Sequence, residues 1–370
     1  MENDLFYKVA LNRLPGVGHA AVKHLTSYLG TAEEIFRASP TKLQKVPGIG
    51  NVLTKEILNQ SSFHEAEDII TQCEKLDISI LYYTDETFPS QLKSIYDAPT
   101  LIYFKGNLDN INGRNLGIVG TRKATSYGKE VTRKVVRDSA PLDLTIISGL
   151  AYGIDIEAHR AALKYKIPTY AVLASGVDTI YPDQHTKAAQ EMTELGGLIS
   201  ENPPGTKPDA RLFPARNRII AGLCDATLVV EAASKGGALI TANIANSYDK
   251  AVFAVPGNLG SDASEGTNKL IAQQRAMAYT GIEDLKFQMN WGENMAVSPS
   301  QHKISSFDLS PEERAIISLM QEHQDGIEID EISWKAQIPL NQLASILLTM
   351  EFNGLVKMLP GKKYAAAYSF

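Results

Sequence analysis

Two cysteines in 370 residues, Cys73 and Cys224, are too few and too far apart for a disulfide framework, and without a C-x-x-C pair they make no thiolate zinc site. The chain also has no charge-free apolar run of bilayer-spanning length, which argues against a membrane partner. Its start, MENDLFYKVALNRL, carries acids where a secretory leader needs a basic stretch followed by an apolar one. A cytoplasmic protein is expected. No Walker A sequence occurs, and the first glycine turn, GIVGTRKATSYG, lacks G-x-G-x-x-G, so neither ATP hydrolysis nor dinucleotide chemistry is expected. Positive charge is scarce as well. Thirty-six Lys and Arg against 42 Asp and Glu leave a net charge of −6, so any nucleic-acid site must be a local cationic patch.

What is present reads as a soluble globular chain, 44% hydrophobic and 21% charged, long enough for two or three domains. Residues 1–75 read as short helices around two similar segments, LPGVGHAAVKHL and VPGIGNVLTKEIL. In each, Pro-Gly-x-Gly makes a tight turn that opens into an apolar-periodic helix, leaving N–H groups outward as a phosphate seat or serving as a packing corner. The segments resemble helix-hairpin-helix units.

Residues 76–290 alternate short apolar runs with helical patterns. The runs are NLGIVGT, LTIISGL, PTYAVLAS, GGLIS, ATLVVEA and AVFAVPG, nearly continuous in apolar residues as strands covered on both faces are. The fold class is therefore α/β: a doubly wound, Rossmann-like, mostly parallel sheet with right-handed crossovers. ISILYYTD and PTLIYFKGN should add edge strands before it. Residues 291–308 are polar and aperiodic, a linker. From 309 to 370, three helical segments and a hairpin describe a winged helix, its first helix opened by a capping box of Ser310 and Glu313 with Pro311 at the first position.

In such a sheet, ligands collect beyond the carboxyl ends of the strands. Those ends deliver Gly120, Thr121, Arg122 and Lys123; Ser148 and Gly149; Lys235, Gly236 and Gly237 with Thr241 behind them. Small residues there let backbone N–H groups approach a ligand. RLFPARNR, holding Arg211, Phe213, Arg216, Asn217 and Arg218, precedes the ATLVVEA strand at the same rim. Cations, an aromatic ring and glycine turns together suit single-stranded nucleic acid, whose phosphates want charge and whose bases stack for roughly 1–3 kcal/mol each. Arg216 and Arg218 sit two apart, so on a helix they diverge by about 200°. One is expected to bind phosphate and the other to pair inside the protein with an acid such as Glu231.

GIVGTR, SGLAYGIDIEAH, LASGVDTIYP, ISENPPG, FPARNRIIAGL, VVEAASKGGALITANIA and FAVPGNLGS follow in the order and spacing of the DprA/Smf family, which this chain resembles closely over about 115–275. The resemblance implies a protein of natural transformation that binds and protects incoming single-stranded DNA, helps load RecA onto it, and forms homodimers through the central domain. It implies no cofactor and no metal. It also singles out Arg122, the Ser148-Gly149 turn, Phe213 with its neighbouring arginines, and the Lys235-Gly236-Gly237 turn. Where the family often has Ser-Gly-Ser, this chain has Lys235-Gly236-Gly237-Ala238, gaining a cation and losing a hydroxyl.

The rival reading is a nucleotide-cleaving hydrolase of the phosphoribohydrolase type, with Asp155, His159, Glu201 or Glu231 as acid, base or ligand. No close carboxylate pair or metal-ligand spacing supports it, and no catalytic residue is assigned. In the winged helix, the presumed recognition segment PLNQLASILLTMEFN has Glu351 as its only charge, which favours protein contact over duplex reading. Lys357, Lys362 and Lys363 in the hairpin are its only cations near a phosphate reader's position.

Overall fold

The computed structural model describes residues 2–291, 310–321, 326–352, 355–359 and 363–366. The chain divides into two compact units, Met1–Trp291 and Gly292–Phe370.

The first unit is built on a nine-stranded sheet. Its strands are β1 (Ser79–Tyr82), β2 (Leu101–Gly106), β3 (Arg114–Val119), β4 (Leu144–Ser148), β5 (Thr169–Val172), β6 (Gly197–Ser200), β7 (Ala226–Val229), β8 (Ala251–Ala254) and β9 (Met277–Ala278). The order is β1-β2-β6-β5-β4-β3-β7-β8-β9. From β6 to β9 all pairings are parallel, whereas β1 and β2 are antiparallel additions at one edge. All six expected parallel strands form, and all but β6 end two or three residues before their apolar runs do. Those last residues leave the ladder and become the rim. Beyond the expected strands, two-residue β9 extends the far edge.

Alternate residues of each strand supply opposite cores, as the pleat requires. On β3, Leu116 and Ile118 pack with Val135, Val136, Ala158 and Ala162 of helices Ser126–Ser139 and Ile154–Lys164. Val119 faces the other way, toward Ile219, Ile220, Ala242 and Ala245 of helices Leu212–Leu223 and Gly237–Ser247. That second layer sits tight against the sheet: a Cβ on Gly117 would lie 2.7 Å from the Cys224 sulfur. Both cysteines are buried and unbridged.

Strand order reverses between β3 and β7. The chain winds outward from β3 through β4 and β5 to β6, then returns along helix Leu212–Leu223 to place β7 on the other side of β3. This is the switch point at which a doubly wound sheet opens a crevice.

The N-terminal helices share a core with this sheet. Val9, Leu25, Ile35 and Ile69 belong to one buried cluster with Tyr103 of β2 and Ala188 and Met192 of helix Thr186–Leu195. The two Pro-Gly-x-Gly turns form as expected, with left-handed Gly16 (φ 77°) and Gly48 (φ 84°) ahead of helices His19–Leu29 and Asn51–Asn59. The first is docked inward. His19 Nδ1 accepts from the Thr100 backbone N–H at 3.2 Å, and a Cβ on Gly16 would meet Leu53 at 3.2 Å. The second turn faces open space at Gly48 and Gly50.

In the second unit, helices Pro311–Gln321, Ile329–Ala336 and Leu340–Phe352 pack Ile316, Ile332, Leu343, Leu347 and Met350 against a three-stranded sheet. Its hairpin pairs Val356–Leu359 with Lys363–Ala366, and Ile327–Glu328 adds the third strand. The capping box forms: the Ser310 N–H donates to Glu313 Oε2 at 2.8 Å, and the Glu313 N–H donates to Ser310 Oγ at 3.1 Å. The expected linker, apart from Trp291, and Lys362 of the expected wing lie outside the described residues.

Candidate nucleic-acid interface

A cavity of about 430 Å³ opens at the switch point. Its floor is the end of β3, running Val119-Gly120-Thr121-Arg122. Gly120 is required there, because a Cβ would fall 2.4 Å from Ile154 and stop the strand end from approaching helix Ile154–Lys164. The Thr121 N–H donates to the Glu231 carbonyl at 2.8 Å, tying the ends of β3 and β7 together.

One wall is the segment Lys235-Gly236-Gly237 and the start of helix Gly237–Ser247. No side chain caps this helix, and a Cβ on Gly236 would meet nothing within 4 Å. The first-turn N–H groups therefore stand open beside an exposed Lys235, with the positive end of the helix dipole behind them. Thr241 is buried behind the turn and donates its hydroxyl to the Gly237 carbonyl at 3.2 Å. Asn217 reaches the same carbonyl at 3.5 Å.

Phe213, in the first turn of helix Leu212–Leu223, forms the opposite wall. The guanidinium carbon of Arg122 lies 5.1 Å from its ring centroid and that of Arg216 lies 5.7 Å away. Both are within cation–π range. The two cations differ in solvation. Arg122 is exposed, whereas Arg216 is 5% exposed and donates from Nη1 to the carbonyls of Gly149 (2.6 Å) and Val172 (2.5 Å). Burial pulls the Arg216 pKa down to about 10, with the charge of Asp155 opposing the fall and that of Arg122 adding to it. Arg216 stays protonated at neutral pH. Asp155, on helix Ile154–Lys164, is the buried carboxylate that offsets this charge; burial raises its pKa and Arg216 counters the rise.

Several expected site residues are placed elsewhere. Arg218 turns away from the crevice, as the helical divergence from Arg216 predicts. Its Nη1 donates to the Asp97 carbonyl at 2.5 Å, and Nη2 makes a short contact to Glu201 Oε2 and lies 3.3 Å from His19 Nε2. Glu201, not Glu231, is thus the internal acid. Glu231 accepts from the backbone N–H and hydroxyl of Thr125, capping the start of helix Ser126–Ser139. Ser148 is buried and donates to the Ile118 carbonyl at 2.6 Å, so its hydroxyl cannot meet a ligand. Gly149 acts beneath Arg216: a Cβ there would lie 2.5 Å from Nη1. Arg211 is outside the lining, held by Asp209 at 2.6 Å, and exposed Lys123 is outside it too.

One aromatic residue outside those expected stands beside the crevice, against Phe213. Tyr181 is about half exposed and its ring stands 6.3 Å from Phe213 at an interplanar angle of 64°, extending the aromatic wall. Its place in GVDTIYP, the loop that follows β5, was the available signal. Of the acid–base candidates, Asp155 alone lines the cavity. His159 is fully buried, with Nδ1 2.8 Å from the Thr169 hydroxyl. Among the described residues, no group of three or more potential metal ligands gathers.

A family model for DNA recombination-mediator protein A matches residues 79–290. Protein Smf of Synechocystis sp. is 30% identical across 97% of this chain and 98% of its own length. The chain belongs to the DprA/Smf family. Two further models agree with the flanking folds: a SAM-like helix-hairpin-helix tandem over 9–76 and a DprA winged helix domain over 301–362. The DNA processing protein DprA of Bacillus subtilis is 37% identical over 68% of this chain and 86% of its own. Among solved structures, DprA from Streptococcus pneumoniae superposes with a TM-score of 0.66 at 31% identity, covering 78% of this chain and 98% of that one. DprA from Helicobacter pylori, described by its single-stranded DNA binding mode, gives 0.52 at 30% identity, covering 58% and 95%.

Proposed function

We propose that this protein binds single-stranded DNA of any sequence in the switch-point crevice, protects it during natural transformation, and passes it to RecA. The observation that carries the reading is the exposed Arg122 over Phe213, facing the open helix start at Gly237 across one cavity. An aromatic face takes a base without regard to its identity, while Arg122, Lys235 and the helix N–H groups take phosphate oxygens. The single-strand binding mode described for the Helicobacter pylori relative supports the same ligand, and the family's description as a recombination mediator supports hand-off to a recombinase.

In this reading the protein does no chemistry. Glu201 and Glu231 are committed to Arg218 and Thr125, so cleavage of a nucleotide would have to rest on Asp155 alone. The protein works in the cytoplasm as a homodimer through its central domain; among the described residues no helix is long and apolar enough to cross a membrane. The winged helix meets protein rather than duplex, since helix Leu340–Phe352 exposes Leu340 and Leu348 and carries no Lys or Arg. Gel shifts comparing single-stranded with duplex DNA, using Arg122→Ala and Phe213→Ala beside the unaltered protein, test the proposal. Duplex preference, or base release from nucleoside monophosphates by the pure protein, would count against it.

A further inference from the structure

The loop that carries Tyr181 connects the crevice to a second cationic feature. Tyr181 faces Phe213, and four residues on, His185 packs its ring 5.1 Å from exposed Tyr152 and holds the Leu150 carbonyl at 2.7 Å. The same loop then enters helix Thr186–Leu195, whose Lys187 faces Arg160 and Lys164 of helix Ile154–Lys164 across an open groove of about 490 Å³. All three cations are exposed. The single carboxylate lining the groove is Glu191, 3.9 Å from Lys187. The Tyr181–His185 stretch thus links two ring pairs, Phe213–Tyr181 and Tyr152–His185, and runs on into the helix that edges the groove.

The opposite side of the crevice offers nothing comparable. There the rim opens to a 370 Å³ hollow lined by Glu231 and no cation, then to a 350 Å³ hollow whose only cation is Lys134. Neither hollow gathers more than one cation, whereas the groove past the Tyr181–His185 loop gathers three, against one exposed carboxylate in the loop, Asp183, and one in the groove, Glu191. We propose that the strand held in the crevice exits over the Tyr181–His185 loop and continues down the Arg160–Lys164–Lys187 groove, which neutralises about three further phosphates. This inference rests on the crevice reading above and extends it from a pocket to a track.

The test is fluorescence anisotropy with labelled oligothymidylates of about 5 and about 20 nucleotides, spanning the usual range of single-strand site sizes. The triple variant Arg160→Ala/Lys164→Ala/Lys187→Ala should bind the short oligomer like the unaltered protein. It should bind the long one roughly tenfold more weakly at low salt, with the slope of log affinity against log salt shallower by about 2. The charge-keeping variant Arg160→Lys/Lys164→Arg/Lys187→Arg should restore both. Equal affinity of the alanine variant and the unaltered protein for the long oligomer, or equal weakening for both lengths, overturns the track. Arg122→Ala separates the two claims. If it weakens the short oligomer while the triple variant is silent, the crevice stands and the track falls; if it leaves the short oligomer untouched, both fall.

Discussion

Arg122 and Arg216 share one ring, their guanidinium carbons 5.1 and 5.7 Å from the centroid of Phe213, but one faces water and the other is sealed in the protein. The pairing divides the site into a part that can exchange partners and a part that cannot. Arg122 gives up only water and a ring contact when a phosphate arrives. Arg216 would have to leave the Gly149 and Val172 carbonyls and the field of Asp155.

Arg122→Ala should therefore weaken single-strand binding without changing the melting temperature, because an exposed cation contributes little to folding. One lost phosphate contact should also flatten the salt slope by about 0.7. Phe213→Ala should remove the stacking face and cost about 1–3 kcal/mol of binding. Anisotropy titrations across a salt series check both, and a salt-independent complex would contradict the site.

Arg216→Ala should act on stability first. Removing the cation leaves Asp155 buried without its offset and the Gly149 and Val172 carbonyls without their donor, a loss of roughly 3–5 kcal/mol for a broken buried charge arrangement. Gly149→Ala should mimic it in part, since its Cβ occupies the place of Nη1. Urea unfolding measures the loss; a variant as stable as the parent would show that Arg216 is free for ligand.

Much of this site was legible in the sequence because parallel strands announce themselves. Runs such as LTIISGL are apolar on both faces, and the glycines and cations that follow them must gather at one edge of the sheet. The divergence of Arg216 and Arg218 was also readable, since helical geometry needs no tertiary information. Partner choice was not. Glu201 and His19 come from 17 and 199 positions away from Arg218, and nothing local distinguishes Glu201 from Glu231 as its acid. Ser148 was misleading for a related reason: the pleat turned its side chain under the rim, toward Ile118, rather than over it.

His159 makes stability depend on pH in a definite direction. Burial pulls its pKa from the ordinary 6.5 to about 3, and the charges of His185 and Arg216 add to the fall. In the folded protein it stays neutral down to about pH 3, while the unfolded chain takes up a proton near 6.5. The unfolded state thus binds more protons throughout that window, so this contribution is complete above 6.5 and is lost as pH falls through it. The slope is up to about 1.4 kcal/mol per pH unit. His159→Leu should flatten the fall in stability between about pH 6 and 4 relative to the parent, measured by urea midpoints. The rise in the Asp155 pKa works in the opposite sense but is present in both proteins, so an unchanged difference between them would refute the assignment.

Truncation after Trp291 removes the whole second unit at a boundary between compact bodies, so the remaining chain keeps its complete sheet and all of its crevice. The cut unit presents Trp334, Leu340 and Leu348 as exposed apolar side chains, a surface unsuited to phosphate. Short-oligomer affinity of the 1–291 fragment should stay within about twofold of the full chain, since none of the stacking or charged groups proposed to hold the strand is removed. A drop beyond roughly tenfold, with the fragment's melting transition intact, would mean that Lys357 and Lys363 reach the strand and that the winged helix is part of the nucleic-acid site.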